Sequence, residues 1–232
     1  YEMQASRPLM DFSALGSQIL RYSILATFFL SLGYLAVVFL ITMYLQGIRA
    51  LSPLDAALLL IPGYVAGSFL SPVMGRLSDR YGARWIATGG AAVIILATLL
   101  YLSLRIDTPL WVVLVASGVS GIGTSMFFPA NNSAVMAHAP QGTYGGVSGL
   151  LRTMQNIGIL GSFVITIAVA AASIPRQVAF EVFIGTTNLK GGVSDAFLQG
   201  VDSALWISLV LVAIAGILSW FRGEERRGPS GP

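Results

Sequence analysis

Six long stretches of this 232-residue sequence carry almost no charge. A transmembrane helix needs about 20 consecutive apolar residues to cross the hydrocarbon core. Charged residues make up 10% of the chain, whereas soluble domains have about 25%. The sequence therefore predicts an all-α membrane protein, a bundle of six transmembrane helices. The predicted spans are residues 22–45, 56–75, 85–104, 108–137, 146–173 (interrupted only by Arg152) and 203–221.

The distribution of Lys and Arg predicts the orientation of the bundle, because these residues accumulate in cytoplasmic loops. With the N-terminus inside, eight basic residues lie on the cytoplasmic side and four on the other. We therefore expect a multi-pass cell-membrane protein with both termini in the cytoplasm. Residues 1–21 are predicted to be a cytoplasmic lead-in, residues 22–221 the membrane bundle and residues 222–232 a cytoplasmic tail. The same topology explains the net charge of +3, so we expect no nucleic-acid partner.

Polar residues of the fifth predicted span share about one third of the helix circumference. They are Ser148, Arg152, Gln155, Asn156, Ser162 and Thr166. An arginine within a span is costly and usually faces a protein interior or a water-filled cavity. The alternative is that Arg152 lies near the cytoplasmic end and extends its side chain to the lipid headgroups.

The first and fourth predicted spans carry weaker polar stripes that are mixed with aromatic residues. Together with the fifth span, they predict an apolar cavity with scattered hydrogen-bonding groups, which suits lipophilic cargo. The predicted lining residues are Thr27, Ser31, Tyr34, Ser120, Thr124, Phe128, Asn131, Asn132, Arg152, Gln155 and Asn156.

Several kinds of chemistry have no suitable residues in this sequence. It contains no Cys and one His, His138, so we expect no metal site and no cofactor. No Asp or Glu lies deep in a predicted span, so, if the chain takes part in proton coupling, the titrating group must belong to another part of the protein. Two Gly-x-Ser-Gly strings, residues 118–121 and 146–149, resemble those of rhomboid-type intramembrane proteases. His138 is too far in depth from Ser120 to activate it as a nucleophile, so we expect no catalytic residue and no enzyme activity.

The turn between the second and third predicted spans, Gly75-Arg-Leu-Ser-Asp-Arg-Tyr-Gly-Ala-Arg84, holds four charged residues within nine positions. A positive-inside anchor explains its arginines but not Asp79 or the paired glycines. The turn is similar to the Gly-x-Leu-x-Asp-Arg-x-Gly-x-Arg signature of the major facilitator superfamily. With six predicted spans and this turn, the chain resembles the C-terminal half of such a transporter. The matching turn, which we call the charged turn, comprises Gly75, Arg76, Leu77, Asp79, Arg80, Gly82 and Arg84.

Shorter strings resemble the fourteen-helix drug:proton antiporter branch of that superfamily. They are Tyr44-Leu-Gln46, Ser52-Pro-Leu54, Leu60-Ile-Pro62, Phe128-Pro-Ala130 and Arg152-x-x-x-Asn156-x-Gly158. The resemblance implies two inverted three-helix repeats, with substrate bound between two rocking halves. It also implies that Asp79, Arg80 and Arg84 form a latch that holds the cytoplasmic side shut.

The implied function is proton-coupled export of drugs or other lipophilic compounds by alternating access. The implied partners are the lipid bilayer, a lipophilic small molecule, protons and an N-terminal half that is missing from this sequence. The rival interpretation is a self-contained six-helix membrane protein, either a channel or a small homodimeric carrier.

Overall fold

A computed structural model describes residues 17–173 and 192–223, and within these ranges the chain forms six long helices. All six are long and apolar enough to cross a membrane, which confirms the predicted bundle. A π-helical turn, Tyr44–Ile48, extends the first helix. Residues 1–16 of the predicted lead-in and 224–232 of the predicted tail lie outside the described ranges. The helices are α1 (Gln18–Met43), α2 (Pro53–Tyr81), α3 (Ala83–Leu102), α4 (Trp111–Ala137), α5 (Tyr144–Ser173) and α6 (Gly192–Phe221).

The helices extend beyond several of the apolar stretches that predict them. Helix α2 continues through most of the charged turn to Tyr81, and α6 begins at Gly192, well before residue 203. Backbone hydrogen bonding continues past the apolar residues because charged side chains are tolerated in a helix that has left the hydrocarbon layer. The start of α2 is marked locally, since the Ser52 hydroxyl accepts a hydrogen bond from the Asp55 N–H at 3.1 Å.

The helices pack as two interlocked three-helix repeats. Helices α2 and α3 of the first repeat pack mainly on α4, and α5 and α6 of the second repeat pack mainly on α1. Close contacts at glycines join the same pairs of helices. A Cβ added to Gly33 of α1 would lie 2.8 Å from the Ser208 carbonyl oxygen of α6, and one added to Gly123 of α4 would lie 2.9 Å from the Gly90 carbonyl oxygen of α3. Successive spans alternate in direction, so the repeats are inverted, as predicted.

Exposed tryptophans mark the two ends of the bundle. Trp85 lies beside the charged turn, whereas Trp111 and Trp206 lie near the opposite end, and all three side chains are more than half exposed. Trp85 also packs edge to face on Trp220, with ring centroids 4.9 Å apart. Tryptophan is enriched at both membrane–water interfaces. These side chains therefore border the lipid-facing zone of the bundle.

Helix α2 lies at an edge of the bundle and is the least covered of the described helices. Only Ala56 and Ser78 among its 29 residues are buried. Its outer face exposes large apolar side chains, including Leu54, Val65 and Phe69, the last with 77% of its surface accessible. One side of α2 is therefore left for lipid or another protein surface, while its inner side packs on α4.

Candidate functional site

A cavity of about 270 Å³ opens at mid-depth between α1, α2 and α4. Two thirds of its lining residues carry a hydroxyl group, and the others are apolar or glycine. The hydroxyl-bearing residues are Tyr34, Tyr64, Ser68, Ser71, Tyr101, Ser117, Ser120 and Thr124; the remaining lining residues are Val38, Leu60, Gly63 and Gly67.

The cavity wall on α2 lies beside Pro62, which has no N–H to donate. The Ser117 hydroxyl of α4 donates to the Leu60 carbonyl at 2.9 Å and accepts from the Gly63 N–H at 3.0 Å. These backbone groups lie on either side of the proline. Such close approach requires glycine, because a Cβ at Gly63 would lie 2.6 Å from the Ser117 carbonyl oxygen. A neighbouring hydroxyl thus bonds to two backbone groups beside the proline.

Three of the predicted lining residues, Tyr34, Ser120 and Thr124, line the cavity. The Ser120 hydroxyl donates to the Tyr34 hydroxyl oxygen across the α1–α4 contact, at 3.3 Å. Phe128 and Asn132 are partly buried one or two turns further along α4 and are outside the lining. Phe128 instead packs edge to face on Phe127, with ring centroids 5.6 Å apart.

Three other predicted lining residues, Thr27, Ser31 and Asn131, are fully buried between helices. The Asn131 side-chain amide donates to the Thr27 hydroxyl at 2.7 Å and to the Ser23 carbonyl at 3.0 Å. Its carbonyl oxygen accepts a hydrogen bond from Arg222 at 3.3 Å. A polar stripe on a helix reports only that one side is polar, and here Asn131 and Thr27 bond to each other across facing helices.

The burial of Arg222 was not predicted from the sequence. This residue follows the last apolar stretch, where an arginine usually reaches outward to the headgroups. Its side chain has no exposed surface and extends inward to Asn131 of α4. The hydropathy pattern contains no signal for this inward direction, because it does not show which residues a helix end packs against.

The predicted stripe on α5 divides into two parts. Arg152 and Asn156 are exposed, and the Arg152 guanidinium donates to the Gln155 side-chain oxygen on the same helix at 2.9 Å. Ser162 and Thr166 are buried. None of them lines the cavity, because α5 packs on α1 while the cavity lies beside α2 and α4.

Nine of the twelve lining residues were missing from the predicted set, and five of these carry a hydroxyl: Tyr64, Ser68, Ser71, Tyr101 and Ser117. The first three recur on α2 at intervals of four and three residues, which is the spacing of one helical face. That stripe could have been recognised from the sequence. Tyr101 lies near the end of the mostly apolar α3, outside any polar stripe used for the prediction.

The charged turn is almost entirely helical. Arg76, Asp79 and Arg80 lie on the last two turns of α2, and Gly82 separates α2 from α3 with a φ of +95°, a conformation that favours glycine. Asp79 accepts a hydrogen bond from the Ser133 hydroxyl of α4 at 2.8 Å. The carboxylate therefore links the end of α2 to α4. Gly75 and Leu77 are partly buried on the same segment.

On the other side of Gly82, Arg84 contacts α6. Its guanidinium carbon lies 4.3 Å from the centroid of the Trp220 ring, which is a cation–π distance. Arg80 lies 5.6 Å from the ring centroid of Tyr81 on its own helix. The charged turn thus connects the ends of α2 and α3 to both α4 and α6.

Comparison with known proteins shows where this architecture occurs. The family model described as Major Facilitator Superfamily matches residues 3–163. The uncharacterised MFS-type transporter YcnB of Bacillus subtilis is 29% identical over 81% of this chain. The lincomycin resistance protein LmrB of Listeria innocua is 25% identical over 88% of it, and the multidrug resistance protein Stp of Mycobacterium tuberculosis is 24% identical over 94%. The chain spans less than half the length of these relatives: 38%, 44% and 47%, respectively.

Proposed function

The chain belongs to the Major Facilitator Superfamily, whose members transport small molecules across membranes, and we propose that it forms one half of a drug exporter working by alternating access. The observation that carries this proposal is the mid-depth cavity between α1, α2 and α4. It lies where the two inverted repeats meet, which is the usual position of a transporter binding site. Relatives named for lincomycin and multidrug resistance support a drug as the cargo.

A second helix bundle is part of this proposal. This chain matches less than half the length of each relative. The remaining length of such a relative is sufficient for a second bundle. The exposed apolar face of α2 gives that bundle a surface to pack on. Large side chains such as Leu54 and Phe69 lie on this face. The binding site would then be completed from both halves, with α2 near their boundary.

We further propose that protons drive export and that both termini are cytoplasmic. Eight basic residues on the cytoplasmic side, against four on the other side, support this orientation. Within the part of the chain that the structure describes, no carboxylate lines the cavity, so the titrating group would belong to the other half. The links from Asp79 to Ser133 and from Arg84 to Trp220 support a latch role for the charged turn. Breaking such links during rocking would shift a two-state equilibrium.

The test is transport by the complete protein in liposomes. Radiolabelled lipophilic compounds, neutral and cationic, are offered with and without an imposed pH gradient. We expect saturable accumulation that requires the gradient. A self-contained channel would instead give flux that does not saturate, and a homodimeric carrier would give saturable transport when residues 1–232 are reconstituted alone. Either result would overturn the proposal of one half of a proton-coupled exporter.

A further inference from the structure

We infer that the cavity between α1, α2 and α4 selects uncharged ring compounds that donate several hydrogen bonds, such as polyhydroxylated aromatics. The inference rests on the proposed function, because it specifies the substrate class of the same cavity. It follows from three properties of the lining: the direction of its hydrogen bonds, its aromatic surface and its lack of charge.

The first property is that four of the eight lining hydroxyls, those of Ser71, Ser117, Ser120 and Thr124, already donate their proton to a protein group. A Ser or Thr hydroxyl has one proton to donate and two lone pairs that accept. Ser71 donates to the Gly67 carbonyl at 2.6 Å, and Thr124 donates to a carbonyl of its own helix at 3.0 Å. Ser120 donates to Tyr34 at 3.3 Å. These oxygens therefore offer lone pairs to the cavity, and a ligand that donates hydrogen bonds matches them.

The second property is aromatic surface on several sides. Tyr34, Tyr64 and Tyr101 come from three different helices, and Val38 and Leu60 complete an apolar contact. Aromatic rings pack on one another in offset-stacked or edge-to-face arrangements, so this lining favours a planar ligand. A volume of about 270 Å³ is small beside the usual 300–1,000 Å³ of ligand sites. The portion of ligand held here is therefore about the size of two or three rings.

The third property is the absence of charge. No charged residue lines the cavity in the part of the chain that the structure describes. A charged ligand would lose hydration without gaining a counter-charge from this surface, which is unfavourable. Tyrosine faces compensate a cation only in part. Neutral donors avoid this cost and still satisfy the hydroxyl oxygens.

The experiment measures binding to the complete purified protein by isothermal titration calorimetry with three probes. One is 5,7,4′-trihydroxyflavone, a neutral donor; one is its trimethyl ether, which keeps the rings but has no donor; the third is ethidium, a cation with amino donors. We expect the trihydroxyflavone to bind about tenfold more tightly than either of the others, since one or two net hydrogen bonds are worth about that factor.

Matched variants connect the preference to the cavity. Ser120→Ala removes a lining oxygen, and we expect it to weaken binding of the trihydroxyflavone several-fold while leaving the ether unchanged. Ser125→Ala is the control, because Ser125 lies on the same helix, is buried outside the lining and donates to its own helix at 2.7 Å. It is expected to change neither affinity.

The outcomes separate this inference from the proposed function. Equal binding of the ether, or tightest binding of ethidium, would overturn the substrate class and leave a drug-binding cavity intact. If Ser120→Ala leaves the affinity for the trihydroxyflavone unchanged while the preference over the ether persists, the assignment to this cavity would be overturned. Failure of all three probes to bind would overturn both the inference and the cavity's role in transport. The probe comparison uses the unaltered protein, so it holds even if a variant folds poorly.

Discussion

The hydroxyl of Ser117 on α4 accepts a hydrogen bond from the backbone N–H of Gly63 on α2, at 3.0 Å. The same hydroxyl donates to the Leu60 carbonyl, so one side chain satisfies two backbone groups beside Pro62. All of these residues except the proline line the cavity. The contact that joins α2 to α4 beside Pro62 is therefore also part of the proposed binding site.

Ser117→Ala is expected to lower stability because it leaves the Gly63 N–H and the Leu60 carbonyl without this partner in a membrane interior. The expected loss is about 1 kcal/mol, since interhelical hydrogen bonds in membranes contribute less than their isolation from water suggests. The measurement is thermal unfolding of the detergent-solubilised protein. Ser125→Ala is the matched control, and a variant no less stable than this control would contradict the role of Ser117.

Gly121→Ala is expected to disrupt the α2–α4 contact. A Cβ at Gly121 would overlap the Gly63 backbone, so the two helices would have to separate. Overpacking of this kind costs about 1–3 kcal/mol. Gly118→Ala on the same helix meets nothing within 4 Å and removes a helix-weakening glycine, so its expected effect is a stabilisation of up to about 1 kcal/mol. Unfolding temperatures that shift in the same direction for both variants would refute the close contact.

Asp79→Asn tests the charge in the proposed latch. Asparagine keeps an oxygen that accepts from Ser133 but removes the negative charge, so membrane insertion is expected to be normal. Exposed charge contacts are worth on the order of 1 kcal/mol, and we expect a turnover several-fold lower in the complete transporter. The readout is the transport rate at saturating substrate. Asp107→Asn, an exposed change in the α3–α4 loop, serves as the comparison, and equal rates for the two variants would exclude a latch role for the Asp79 charge.

Arg152→Ala distinguishes a functional arginine from an interfacial one. Arg152 is exposed and bonded to Gln155 within this chain, so it is available to a cavity completed by another bundle. We expect the substitution to change apparent substrate affinity or the dependence of transport on the pH gradient several-fold. We expect Arg152→Lys, which keeps the positive charge, to restore much of the original affinity and pH dependence. A transporter with unaltered kinetics would assign Arg152 to the headgroup region.

The charged turn shows how far motif recognition reaches. Its resemblance identified the family and the position of the turn in the helix order. It did not reveal that Asp79 contacts Ser133 or that Arg84 lies on Trp220. Both partners come from distant parts of the chain, and neither carries a motif. Their roles in gating stay predictions until the variants are measured.

The polar stripes show a different kind of limit. Helical periodicity placed Thr27 and Ser120 on polar faces, yet Thr27 is buried against Asn131 whereas Ser120 lines the cavity. A stripe on α2 that includes Tyr64 and Ser68 was readable at the same level and was overlooked. Periodicity gives the side of a helix on which residues lie, but not the neighbour that covers that side.

The sequence by itself determined that this chain crosses a membrane repeatedly and belongs to a known transporter family. Each transmembrane helix must be long and apolar enough to cross the bilayer, and it forms its backbone hydrogen bonds within itself. Both properties can therefore be recognised from the local sequence alone. Only the tertiary structure decided which hydroxyls line the cavity, that Ser117 joins Gly63, and that Arg222 is buried. These facts depend on which helix faces meet, and that depends on close packing between residues far apart in the chain.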